Sequence, residues 1–172
     1  APGNLTQTVT LNDLATEHEV TVTGLNPATV YFYQIETTNT IGTDSAGADL
    51  THSFKTHPLP GERAAARVWV IGDSGTTGTA KDNVYNAYGT RTDSAHTDVW
   101  LILGDNAYNS GTDNEFQNAV FDSYPELLRN TVMWSCIGNH EAGTSGGAPY
   151  VDIHSFPMAA ECGGVASGSE RY

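Results

Sequence analysis

The chain predicts an all-β segment followed by an α/β domain built on a mainly parallel sheet. Two observations carry this expectation. Residues 17–57 are rich in Thr and Val and alternate with a period of two, as half-buried strands do. Residues 65–141 instead pass three times from an apolar run into Gly plus a polar side chain, with helical stretches between. The two regimes meet at His57-Pro58-Leu59-Pro60-Gly61-Glu62, a linker marked by Pro and Gly. The expected division is therefore a β domain over 1–57, a linker over 58–64 and an α/β domain over 65–172.

In the first segment Glu19, Thr21 and Thr23 alternate with Val20 and Val22, and Tyr31, Tyr33 and Ile35 alternate with Phe32 and Gln34. β-branched and aromatic residues in this pattern, punctuated by Gly24-Leu25-Asn26-Pro27 and Ile41-Gly42, predict antiparallel strands. Leu50–Thr56 is a third candidate strand, and no amphipathic helix is visible. Leu25-Asn26-Pro27-Ala28-Thr29-Val30-Tyr31 has the form of a tyrosine corner, in which a Tyr near a strand start bonds back to upstream backbone. The plainer alternative makes Tyr31 an ordinary core aromatic. A sandwich of that type needs about seven strands; three or four are found, so the expectation is a β-sandwich fragment truncated at its front.

In the second segment Ala65–Ile71 is an apolar strand ending in Gly72-Asp73-Ser74-Gly75. Residues 79–89 can form a helix with Val84, Ala87 and Tyr88 on one face. Asp98–Leu103 is the next strand, ending in Gly104-Asp105-Asn106. Asp113–Leu128 reads as a second helix, with Phe116, Val120, Tyr124 and Leu127 at helical spacing and Pro125 as its point of interruption. Val132–Ile137 is the third strand, ending in Gly138-Asn139-His140-Glu141. Strand-helix-strand-helix-strand order predicts right-handed βαβ units. Trp69, Trp100 and Trp134, in these strands, are expected in the core.

Composition narrows the function. A hydrophobic share of 38% and a charged share of 16% fit an ordinary globular chain, and no run approaches the roughly 20 apolar residues of a membrane span. Seven basic against 20 acidic residues give a net charge of −13, which argues against a nucleic-acid groove. A phosphate-handling site in so acidic a chain would need bound cations to reverse the local field. Cys136 and Cys162 form no CxxC pair, so thiolate zinc and thioredoxin-type motifs are excluded; a disulfide between them and two separate thiols both remain open. Asn4-Leu5-Thr6 fits the short glycosylation pattern. Ala1-Pro2-Gly3-Asn4 does not resemble a signal peptide, so any such peptide is expected to be removed or to lie outside this sequence. No Gly-x-Gly-x-x-Gly follows the first strand and no Gly-x-Ser-x-Gly occurs, which argues against dinucleotide binding and serine hydrolysis.

The chemistry lies at the three strand ends. Asp73, Asp105 and Asn139 stand 32 and 34 residues apart, about one βα unit each. In an open parallel sheet the carboxyl ends of the strands share one edge, where ligands bind. One Gly-Asp at a strand end is more simply a turn; three in register, the third followed by His140-Glu141, point to a site.

Gly72-Asp73-Ser74-Gly75, Gly104-Asp105-Asn106-Ala107-Tyr108 and Gly138-Asn139-His140-Glu141 resemble the first three motif blocks of the metallophosphoesterases, and Tyr108 narrows the resemblance to the purple acid phosphatases. The front segment resembles the end of the fibronectin type III-like domain that precedes the catalytic domain in plant and bacterial members. The fold this implies is a fibronectin III-like β-sandwich fragment followed by an α/β metallophosphoesterase half-domain. The resemblance further implies that Asp73 and Tyr108 ligate Fe(III), that Asp105 bridges it to a second divalent metal (Fe, Zn or Mn), and that Asn139 ligates the second. His140 would stand near the phosphate as a catalytic residue, or be no more than a histidine hydrogen-bonded at a helix start.

The implied activity is hydrolysis of phosphate monoesters by a metal-bound hydroxide, since a bound metal can lower the pKa of water from 15.7 to about 7. A phosphodiesterase or nucleotide pyrophosphatase on the same scaffold is one alternative, and a non-catalytic adhesion or binding module is another. The family's remaining histidine ligands, from a later Val-x-x-His and a Gly-His-x-His block, are absent from this chain. Val151-Asp152-Ile153-His154 fits the first pattern but comes too early, so His154 is expected to be a decoy. The fragment alone is expected to be inactive. Implied partners are a small phosphorylated substrate, a missing C-terminal half of the same protein and a second copy in a dimer; the implied location is secreted or extracytoplasmic. His18, His52, His57 and His96 are expected in solvent, and Asp93, Asp98, Glu115 and Glu126 on solvated faces.

Overall fold

A computed structural model describes residues 2–160, 165, 166 and 168. Cys162, and with it the question of a Cys136–Cys162 bridge, lies outside the described residues. Residues 4–29 carry no strand. The alternation of Glu19 to Thr23 therefore does not become a strand, because no neighbouring segment pairs with it, and Val20 and Val22 stay exposed. Strand structure begins with β1 (Val30–Phe32) and β2 (Gln34–Thr38), followed by β3 (Thr43–Gly47) and β4 (Ser53–Lys55). β1 pairs with β4 and β2 with β3, both antiparallel, giving two small two-stranded sheets. The turn between β2 and β3 is held by Asn39, whose side-chain oxygen accepts from the Ile41 and Gly42 amides. The Tyr31 hydroxyl accepts from the Asn26 amide at 2.8 Å, and its ring stacks on Phe54.

The rest of the chain builds a three-stranded parallel sheet in the order β5 (Val68–Ile71), β6 (Val99–Ile102), β7 (Val132–Ser135). Register aligns Trp69 with Trp100 and Met133, and Ile71 with Ile102 and Ser135. Helix α1 (Thr79–Thr92) connects β5 to β6. Its inward face is Lys81, Tyr85 and Tyr88, not Val84, Ala87 and Tyr88; Val84 and Ala87 are exposed. The reason is stacking: Trp69 lies against Tyr88 at 4.5 Å, Tyr85 at 5.8 Å and Trp100 at 5.5 Å between ring centroids. Aromatic pairs add about 0.5–1.5 kcal/mol beyond the area they bury, more than an aliphatic Val or Ala face offers. Lys81 is drawn in with them. Its ammonium donates to the Ala119 carbonyl and sits 5.0 Å over the Tyr124 ring, and burial lowers its pKa.

The stretch from Asp113 to Leu128 is divided. Helix α2 (Asp113–Phe116) runs into a wider π turn over Gln117–Phe121, and a separate helix α3 (Pro125–Leu128) starts at the proline. Phe116, Val120, Tyr124 and Leu127 are nonetheless all buried, so the apolar spacing outlasts the break. Helices α4 (Asn139–Ala142) and α5 (Ala148–Ile153) follow β7. Trp69 and Trp100 are core residues and Trp134 is half-buried. No helix among the described residues is long and apolar enough to cross a membrane.

The two parts touch through polar contacts. Lys55 pairs with Asp98 at 2.8 Å, Ser53 donates to the Asn130 side chain, and the Tyr33 hydroxyl donates to the Arg129 carbonyl. Asp98 thus leaves the solvated face expected of it. Burial works to raise its pKa, but hydrogen bonds from the Arg67 amide and Lys55 outweigh this and hold the carboxyl below its ordinary value. His52 also departs from the solvent-exposed expectation: it is half-buried, hydrogen-bonded to Asp49 at 2.9 Å and edge-on to Tyr33.

Candidate metal centre

The loops that follow β5, β6 and β7 lie side by side at one edge of the sheet. Backbone bonds stitch the first two together: Asp73 N–H to the Gly104 carbonyl at 3.2 Å, Gly75 N–H to Asp105 at 3.0 Å, and Tyr108 N–H to Gly75 at 3.2 Å. Glycine is needed at 75, since a Cβ there would stand 2.6 Å from the Ala107 nitrogen. Asp73 and Asp105 both leave their strands in the left-handed region, with φ of 53° and 52°. Asp is one of the few residue types that tolerates this conformation.

These turns bring three oxygen donors together. The Tyr108 hydroxyl donates to Asp73 Oδ1 at 3.1 Å and lies 3.4 Å from Asp105 Oδ2. Loss of hydration and the two adjacent carboxylates push the Tyr108 phenol up to about 12. The other Asp105 oxygen accepts from the His140 amide at 3.3 Å, which ties the second loop to the first turn of α4. Asn139 begins that turn at an exposed position. The His140 ring stands edge-on to Tyr108, with centroids 4.4 Å apart. Its Nδ1 is 2.6 Å from the Asn109 carbonyl. A carbonyl can only accept, so Nδ1 carries the proton.

Two carboxylates that sequence reasoning left without a role organise the rim. Glu141 is fully buried and accepts four hydrogen bonds: Asn106 N–H at 2.8 Å and Ala107 N–H at 3.0 Å on Oε1, Gly138 N–H at 2.8 Å and the Asn106 side-chain amide at 3.1 Å on Oε2. The only signal available in advance was its place at the end of the third motif. Glu115, expected on a solvated face, instead closes a capping box with Thr112 and also accepts from the Asn109 and Ser110 amides. These bonds, with Thr112 first among them, hold its pKa below the ordinary value. Here the signal was legible, because Thr112-x-x-Glu115 ahead of an apolar run is a capping pattern.

His154 lies in the core, not on the rim. Its Nδ1 is 2.8 Å from the Tyr150 carbonyl, its Nε2 is 3.1 Å from the Ser135 hydroxyl, and its ring stacks on Phe156. Beside Tyr108 an open cleft of about 490 Å³ is lined by Thr76, Thr77, Asn109, Glu115, Asn118 and Ser123 among others. Among the described residues no three His, Cys, Asp or Glu side chains gather as a metal-binding group. The rim offers two carboxylates, a phenol and an amide.

No protein-family model matches the chain. Purple acid phosphatase 15 of Arabidopsis thaliana is 26% identical over 167 residues, an alignment that takes in 90% of this chain. The likeness is to a purple acid phosphatase. The chain spans 29% of that relative's length.

Proposed function

We propose that this chain carries part of a two-metal site of the purple acid phosphatase type and serves the hydrolysis of phosphate monoesters. The observation that supports it best is the meeting of Asp73, Asp105 and Tyr108 from two strand ends, with Asn139 and His140 at the third. The donor set fits hard cations, since all its atoms are oxygens. The crowding of one hydroxyl between two carboxylates leaves negative charge that one proton does not offset. In this reading Asp73, Tyr108 and Asp105 would hold Fe(III), and Asp105 and Asn139 would hold a second, divalent ion (Fe, Zn or Mn). When bound, the metals supply Lewis acidity and an activated water in acid solution.

The chain's own residues have separate tasks. Loss of hydration and the carboxylates of Asp73 and Asp105 push the Tyr108 phenol up to about 12, so a bound cation beside it would be what favours the phenolate. His140 is oriented by its Nδ1–H bond to the Asn109 carbonyl, and when the ring also carries a proton on Nε2 it can pass that proton to the departing alcohol and return to the neutral form. The cleft beside Tyr108, rich in hydroxyl and amide groups, receives the non-phosphoryl part of the ester. The two parts of the chain belong to a β domain and a catalytic domain, and the protein works outside the cytoplasm.

The test is metal analysis with a visible spectrum on the complete protein, beside an Asp105→Ala variant. About two metals per chain including iron, a broad visible band, and phosphatase activity lost in the variant are the expected results. A colourless, metal-free protein indifferent to Asp105 would leave a binding module in place of the enzyme.

A further inference from the structure

We infer that Glu141 is a positioning residue whose buried carboxylate fixes the Asp105 loop against the Asn139 turn and so sets the separation of two ligand positions. The inference rests on the metal-site reading above. Its basis is where the four donors sit. Asn106 and Ala107 follow Asp105 directly, and Gly138 directly precedes Asn139. A carboxylate is acceptor-only with about four lone-pair sites, and here four N–H groups meet it, two on each oxygen. The ion pairs found among the described residues, Asp49–His52 and Lys55–Asp98, do not involve Glu141. Its charge is therefore balanced by backbone and amide dipoles of the two loops that it joins.

The surroundings are built to that carboxylate. A Cβ on Gly138 would stand 2.9 Å from Oε2, and one on Gly111 would stand 2.9 Å from the Glu141 Cγ. Neither glycine can be larger without moving the clamp. Asn106, 1% exposed, braces it from the far side by donating from one amide group to both Oε2 and the Cys136 carbonyl at the end of β7. Glutamine is the discriminating substitution: equal in size, it offers an acceptor at one end only, and its NH₂ would face two N–H donors at the other. Aspartate, one methylene shorter, cannot reach both loops at once.

The experiment uses the complete protein with Glu141→Gln, Glu141→Asp and Asn106→Ala. In metal-free protein, amide exchange at Asn106, Ala107 and Gly138 is expected to accelerate in E141Q while exchange at Trp100 and Ile102 stays slow. In protein loaded with Fe(III), affinity for added Zn(II) is expected to fall roughly 10–100-fold, while the broad visible band expected of a Tyr108 phenolate on Fe(III) persists. E141D should match E141Q, and N106A, which removes one donor, should show a smaller loss in the same direction and decides the matter if E141Q does not fold. Unchanged exchange at the three amides, or unchanged Zn(II) affinity in the variants, overturns the role of Glu141. A wild-type protein that binds neither metal overturns the metal-site reading itself.

Discussion

The Tyr108 hydroxyl donates to Asp73 Oδ1 at 3.1 Å, so a side chain from the loop after β6 closes on one from the end of β5. The two residues are 35 positions apart in sequence, yet the parallel register and the stitched loops bring them together at that edge, with Asp105 Oδ2 at 3.4 Å as the second carboxylate beside the hydroxyl. Tyr108→Phe should remove the proton shared by the two carboxylates without disturbing the core. Folding stability should change by no more than about 1 kcal/mol, the usual net worth of one hydrogen bond. Iron content and the visible band should both be lost. A variant that keeps the band would place the colour, and the ferric ion, on another residue.

Gly138→Ala and Gly89→Ala should have opposite signs. A Cβ on Gly138 would fall on the Asp105 amide nitrogen and Oδ1, and backbone cannot step aside as a flexible side chain can. The expected cost is roughly 1–3 kcal/mol, as for other forced overpacking. Gly89 lies inside α1 with open space around it. Alanine there should stabilise by about 0.4–1 kcal/mol through the unfolded chain. Thermal denaturation of both variants checks the pair.

What could be read from sequence follows from where each interaction is local. Phe116, Val120, Tyr124 and Leu127 announce a buried face because a helical repeat survives even the π turn and the break at Pro125. The rim residues were legible because parallel strands put their carboxyl ends on one edge. Strand β3, Thr43–Gly47, was not: Thr-Asp-Ser-Ala-Gly has little strand propensity, and the Asn39 turn imposes its pairing with β2. Residues 19–23 show the converse, an alternating pattern with no partner to pair with. The inward face of α1 was misjudged because the stack of Trp69 on Tyr85 and Tyr88 is a tertiary choice. The part played by Glu141 was hidden for the same reason, since its partners are three backbone N–H groups and the Asn106 side-chain amide from two other turns.

Acid should loosen the Asn109 loop before it unfolds the sheet. Glu115 accepts hydrogen bonds from Asn109, Ser110 and Thr112, and its folded pKa is depressed below the unfolded value of 4.5. The stability it contributes is therefore present above about pH 4.5 and lost as pH falls through the lower folded value. Because the Asn109 carbonyl orients His140, the His140 ring should gain mobility over the same range. Glu115→Gln should abolish this pH dependence, which can be followed by amide exchange at Asn109 and Ser110. An acid transition of that loop that survives in the variant would assign it to another carboxyl.

The outer face of the parallel sheet should make the 172-residue chain associate. Register places Val68, Val99 and Val132 in one row and Val70, Leu101 and Trp134 in the next, and Val68, Val70 and Val132 are 46%, 50% and 40% exposed. Parallel sheets are covered on both faces almost without exception, because such a surface left in water attracts a partner. Aromatic residues and α1 cover the inner face, whereas on the outer face Phe156 stacks on Trp134 but leaves Val68, Val70 and Val132 exposed. Sedimentation of the chain should therefore show association that grows with concentration. Val70→Lys and Val132→Thr should suppress it without weakening the inner core, since neither side chain points there. A monodisperse species at 18.3 kDa, unchanged by those substitutions, would mean that the exposed rows are too small or too well broken by their surroundings to bind anything.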